Sequence, residues 1–514
     1  MPSWLVNSGA GSAAARVPPP PRPGAPLSEP LLPESGSPAN GGSRAGDWRG
    51  AAEPDRADGG ASDDSFPPVR EQAGQAAKVV ALLVNSGIGT STVAMPMAVR
   101  TLGAGLALGA MLLQATLGVL ANHVLSKESA RGGAGSYADL MTQRYGKWGG
   151  RGVAVAQLAN SLGKSVVWLI ILADLIVGSP GAGGGLLPEL LRAGGSGGMA
   201  EGEHWYLRRW PWILLLAVMA TPVVSVRSMS KLSAVSLVGD AAVALMAGSG
   251  LALAVFAARE GKAHKIHWLP NPEDARGGGS RAVLALELVS VFPVMMGAAF
   301  TQNQINSVMT ELQPYSQSIL DAAQAAARVL TLAVFLTIGA SNNAVFGKEL
   351  EPDVLLNYSA LGLGALLPDR PALWLATAVR ISFLVNGLVS LPMYLWPAQR
   401  NLWATLPNQD PEARMSERKS FATTNIAGLA GCAVVAVLVP SIWKPLKLLG
   451  GTAVSFMAFI GPGMVVLRRQ SSIGRGTGAG GKPRWRSAGL TALGWVLVVV
   501  GLAQAAASVA SQFI

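Results

Sequence analysis

Charge is scarce in this chain. Only 13% of its 514 residues are Asp, Glu, Lys or Arg, about half the share a soluble globular protein carries. That shortage excludes an ordinary soluble fold. Thiols are scarcer still: Cys432 is the single cysteine, so neither an intramolecular disulfide nor a multi-cysteine metal site can form. The four histidines, His123, His204, His264 and His267, make no His-Glu-x-x-His pair set. The phosphate-cradling Gly-x-x-x-x-Gly-Lys-Ser/Thr is missing as well. With these residue sets absent, the chain is expected not to be an enzyme and to use no metal or cofactor. A net charge of +11 would raise nucleic-acid binding in a soluble protein. No basic patch interleaved with aromatics occurs here, however, so no nucleic-acid partner is expected.

What is present is apolar. Half of the residues are hydrophobic and 62 are glycine, and small residues let membrane helices approach closely. Apolar runs occupy residues 79–99, 101–126, 152–177, 210–226, 241–258, 288–310, 329–347, 381–399, 420–443, 448–467 and 487–514, numbered here spans one to eleven. Span three holds Lys164 and Asp174; the other ten contain no charged residue. At about 1.5 Å per residue such runs cross, or nearly cross, a hydrocarbon core of about 30 Å. The expected fold is an all-α polytopic membrane protein with about eleven transmembrane helices and the lipid bilayer as its solvent.

Two domains of unequal kind are expected. Residues 1–75 contain 13 of the 33 prolines, six arginines and nine acidic residues, a composition that cannot bury enough apolar surface to fold. This tail is expected to be disordered and cytosolic, with room for signalling partners of unknown kind. Its Ser28-Glu29-Pro30-Leu31-Leu32 stretch is similar to an acidic dileucine sorting signal. Residues 76–514 form the membrane domain. Lys and Arg cluster in alternate loops, for example Lys127, Arg131, Arg144 and Lys147, then Arg414, Arg418 and Lys419. By the positive-inside rule those loops face the cytosol, which puts the N-terminus inside. Lys444 and Lys447 stand against that scheme.

Two spans contain helix-weakening sequence. Span one reads Asn85-Ser86-Gly87-Ile88-Gly89-Thr90-Ser91-Thr92, where glycine costs backbone entropy and hydroxyls offer competing hydrogen bonds. Span six reads Ala299-Phe300-Thr301-Gln302-Asn303-Gln304, poor chemistry for a lipid-facing surface. Broken backbone at membrane depth survives only against protein or a wet cavity. A pair of breaks at corresponding places in two halves points to a transporter binding site. The bland alternatives are a small-residue packing face in span one and an ordinary loop after Phe300.

The charged residues inside spans have their own expectations. Lys164 lies midway along span three and needs a partner or an aqueous cavity, and Asp240 in span five is its expected partner. Asp174 is expected to meet the membrane interface. Arg380, at the start of span eight, is expected to reach the headgroups along its own stem.

These stretches resemble the amino acid/auxin permease family, in particular its neutral and vacuolar amino acid transporters. Asn85, Gly89 and Pro96 match the first-span pattern, with Ser91 in place of its second glycine. Ser136-Tyr137-Ala138-Asp139-Leu140 and Tyr145-Gly146 match the loop after span two, and Thr310-Glu311-Leu312 the end of span six. Phe346-Gly347 with Leu355-Leu356-Asn357-Tyr358, and Ser390-x-Pro392 with Pro397-x-x-Arg400, continue the pattern in order. The resemblance implies a leucine-transporter-type 5+5 inverted repeat plus one extra helix. It implies secondary active transport of amino acids by alternating access, as symporter or antiporter. Carried over, substrate contacts fall on Asn85, Gly89, Thr90 and Ser91, and on Ala299, Phe300, Thr301 and Gln302. Coupling-ion candidates are Lys164, Asp240 and Ser390. Leu388 replaces a hydroxyl that sodium-coupled members carry, which favours proton-coupled or sodium-independent transport of small neutral substrates. A vacuolar, endolysosomal or plasma membrane would suit such a protein. A sensor that binds amino acid with little flux is the alternative.

Overall fold

The computed structural model describes residues 69–88, 90–179, 184–193, 204–225, 230–271, 281–312, 315–475 and 484–512. All regular structure among them is helical. Span one starts at Val69, so helix reaches back ahead of residue 76; the rest of the tail lies outside the described residues. Among the described residues, eight helices are long and apolar enough to cross a membrane, and the bent pair Ala73–Gly87 and Thr90–Leu102 adds a ninth. Spans four and six are shorter pieces. Span four is Arg209–Val224, and span six is Arg281–Ala299 followed across a break by Ile305–Glu311. Each of the eleven apolar runs thus carries helix.

The helices pack in two groups. Spans one, two, six and seven contact one another, as do spans three, four, eight and nine. Span five touches both groups through spans seven and eight, and spans ten and eleven lie against span six. Leu113, Val218, Val329, Trp374, Leu438 and Val499 are large apolar side chains left exposed, as lipid-facing positions require.

Several family-like motif residues are knots in the loops. Ser136 caps span three by accepting from the Asp139 amide at 3.1 Å. Tyr137 and Tyr145 donate to the carbonyls of Met457 and Met464 at 3.1 and 2.6 Å, tying span three to span ten. Gly146, at φ 72°, kinks span three between those contacts and the membrane. Glu128, 2% exposed, is clasped by Arg131, Arg144 and Arg469 at 3.1, 2.6 and 2.8 Å. Lys78 pairs with Glu311, joining the start of span one to the end of span six. Span ten is widened into π-helix over Gly450–Val454 and Phe456–Ile460. There a Gly450 side chain would collide with the Pro293 carbonyl of span six.

The buried charges correct three expectations. Asp174 does not reach the interface: it is 2% exposed and pairs with Arg209 at 3.0 Å. Arg380 does not snorkel either. Span eight begins at Asp369, which sets Arg380 about 16 Å along the helix. It is fully buried and pairs with Glu189 at 3.2 Å. Its guanidinium also donates to the carbonyls of Leu355 and Leu356 at 3.4 and 3.3 Å. Lys164 and Asp240 do not form a pair, as described below. Asp353 lies beside this Arg380–Glu189 pair at 2% exposure, one carboxylate oxygen capping Leu355 at 3.0 Å and the other without a hydrogen-bond partner.

Candidate functional site

Both weak stretches are true breaks. The first helix of span one closes with Ile88 donating to the Val84 carbonyl at 2.9 Å. A 3-10 turn over Thr90–Ala94 follows, and the second half starts at Met95 with Pro96 in its first turn. Proline there costs no hydrogen bond and fixes φ for the helix start. The two halves bend by 56°. Span six breaks after Ala299 and resumes through a 3-10 turn over Gln302–Gln304. The two breaks meet: a side chain on Gly297 would stand 3.2 Å from the Ser91 hydroxyl.

Thr90, Ser91 and Thr92 are at most 2% exposed, and the hydroxyls of Thr90 and Thr92 have no protein partner. Buried hydroxyls of that kind are costly unless something accepts or donates to them. The start of the Thr90–Leu102 half presents amide groups and the positive end of a helix dipole, suited to a carboxylate. The end of Arg281–Ala299 presents carbonyls suited to an ammonium. Gly89 lies outside the described residues, as does the side chain of Ala299. Phe300 is buried at 2%.

Thr301 and Gln302 turn elsewhere. The Thr301 hydroxyl accepts from Arg328 of span seven at 2.6 Å and from Asn122 of span two at 3.2 Å. Gln302 accepts from the Thr301 amide at 3.1 Å through its side-chain oxygen. These two side chains face spans two and seven, away from spans three and eight.

Asn85, in the first half of span one, donates to Asp240 at 3.5 Å. That pairing is what replaces the expected Lys164–Asp240 contact. The neighbouring Gly239 packs on the amide of Asn386 in span eight, and Asn386 accepts from Ser390 at 3.2 Å. A polar path therefore runs from span one through span five to span eight. Lys164, 8% exposed, lies 5.5 Å from the ring centroid of Tyr394 in span eight, a cation–π arrangement. Leu388 is part of the apolar packing.

Sequence reasoning passed over Asn386 and Arg328. Arg328 sits immediately before the charge-free run 329–347, which made it look like a boundary, whereas the helix of span seven begins at Gln317. An arginine on an otherwise apolar helical pattern was the available signal.

Comparisons with known proteins bear on the family and the fold. The family described as "transmembrane amino acid transporter protein" matches residues 72–510. The chain is 26% identical over 405 residues to the Arabidopsis thaliana amino acid transporter AVT6D, covering 77% of this chain and 86% of that protein. It is 26% identical over 152 residues to the Bos taurus sodium-coupled neutral amino acid transporter 7, about 30% of either chain. Among solved structures, a manganese transporter of Eremococcus coleocola superposes with a TM-score of 0.51 at 12% identity, over 88% of this chain and 90% of that one. That likeness carries the leucine-transporter-type fold alone. With the family matched along almost the whole membrane domain, the chain belongs to the transmembrane amino acid transporter family.

Proposed function

We propose that the protein is a secondary active transporter that moves small neutral amino acids by alternating access, with protons rather than sodium as the coupling ion. The observation that carries the reading is the contact between the two helix breaks at Ser91 and Gly297. Amides near Thr90–Thr92 would hold the substrate carboxylate, and carbonyls near Phe300 its ammonium. Neither break contains an acidic residue, which disfavours cationic substrates. The preference for protons rests on Asp240 beside Asn85, on apolar Leu388, and on Lys164 between spans three and eight, where its charge would stand in for sodium and its proton could be cycled. The acidic Leu-Leu stretch of the tail supports an endomembrane, vacuolar or endolysosomal, with the N-terminus in the cytosol.

The test is an uptake panel in proteoliposomes with and without sodium and with an imposed pH gradient. The expected result is sodium-independent uptake of small neutral amino acids that follows the pH gradient, and loss of uptake or of its pH dependence in Lys164→Met that still elutes as a folded protein. Sodium-stimulated uptake would overturn the coupling assignment. Binding without flux would identify a sensor instead.

A further inference from the structure

The group of spans one, two, six and seven has a polar interior that the substrate reading does not use. Arg328 lies about 16 Å along span seven from Gln317, at 7% exposure. Around it a narrow gap is lined by Leu83, Asn122, Thr301, Gln324, Ala327 and Thr331. The lining carries one positive charge, with amides and hydroxyls and no acidic residue among the described residues that form it.

Four polar atoms there have no partner: the Asn122 oxygen, the Gln302 nitrogen, and both the nitrogen and the oxygen of Gln324. Their side chains are at most 1% exposed. Each such atom costs the fold roughly 1–3 kcal/mol when left unmade. Two of these amides, Gln302 and Gln324, bring an unpaired N–H to the side of the guanidinium, while the free oxygen of Asn122 can only accept. Gly118 of span two keeps the floor bare. A side chain there would stand 3.3 Å from the Arg328 guanidinium and 3.5 Å from the Gln302 nitrogen, so these two donors share one patch of backbone.

We propose that this interior binds a small monovalent anion, either chloride or the carboxylate of an organic ligand, on Arg328 with Gln302 and Gln324 as further donors. The gap does not admit a water-sized sphere in this conformation. The ion therefore enters with a rotamer change at Gln324 and Arg328. Because Thr301 belongs to the span-six break and bonds Arg328 directly, an ion held there would fix the break against spans two and seven. The site is separate from the meeting point of the two breaks and does not depend on which amino acid is carried.

Thermal unfolding of the purified full-length protein tests it, with chloride or acetate titrated against methanesulfonate at constant ionic strength. The expected result is a saturable rise in Tm with one of the two anions, absent in Arg328→Gln. A rise with chloride alone identifies a halide, and a rise with acetate alone a carboxylate ligand. Gln324→Leu serves as a second variant should Arg328→Gln fail to fold. It should raise the half-saturating concentration about tenfold, the worth of one hydrogen bond to a charged group. No saturable response to either anion in the wild type, or responses unchanged in the variants, would overturn the proposal.

Discussion

Replacing Asp353 by Asn isolates the charge of one carboxyl group in the loop between spans seven and eight. Asparagine can still cap Leu355 as Asp353 does at 3.0 Å, because both side chains offer an oxygen to that amide. What changes is ionisation. Burial pushes Asp353 up to about 7, against the pull of the Leu355 amide and the Arg380 guanidinium. A carboxyl raised in the native state holds its proton there after the unfolded chain has lost it. The stability this supplies is complete below the ordinary carboxylate range and is lost as pH rises through about 7. Taking about 3.9 for the unfolded chain, the wild type should lose roughly 2–3 kcal/mol between pH 5 and pH 8. In a chain of this size that is a fall in Tm of roughly 2–3 °C. Asp353→Asn has no proton to lose, so its Tm should decline less over the same range. Thermal unfolding of both proteins in one detergent, across that pH range, is the assay. Parallel Tm curves would refute the buried, uncompensated carboxylate.

Two further outcomes follow from the packing. Gly297→Val should set branched methyls against the Ser91 hydroxyl, only 3.2 Å from where a side chain begins, and prise the breaks apart. Uptake should fall about tenfold or more with yield and elution profile retained, and normal uptake would mean that the breaks do not form the site. Arg380→Met should strand Glu189 without its partner, costing roughly 3–5 kcal/mol. Adding Glu189→Gln should recover part of that loss in the same unfolding assay, and a strictly additive double variant would show the pair to be uncoupled.

The existence of the spans and of both helix breaks was legible because these features are local. Charge-free runs locate the former without their boundaries, and Gly, Ser, Thr and amide residues at mid-membrane depth locate the latter. Partnerships of buried charges were not. Asp174 with Arg209, Arg380 with Glu189, and Asn85 with Asp240 join segments distant in sequence, and no period in the chain marks which helices become neighbours. Arg380 was misread for a geometric reason: helix begins well before the charge-free run, so a residue at the edge of the run is deep in the helix. Arg328 escaped notice by the same displacement. For the substrate-facing residues, sequence located the breaks but not the direction of each side chain, and Thr301 and Gln302 face spans two and seven.

The π-helical stretch of span ten has a consequence for insertions and deletions. Widened turns hold more residues per turn than an α-helix does, so Gly450–Ile460 stores surplus chain length. Deleting one residue there can be absorbed by tightening a turn, which leaves the carbonyl of Met464 facing Tyr145. Deletion of one residue from ordinary α-helix turns everything beyond it by about 100° and would carry such an acceptor out of reach. Length variation among related chains should therefore be tolerated at this point of span ten and excluded a turn or two further along.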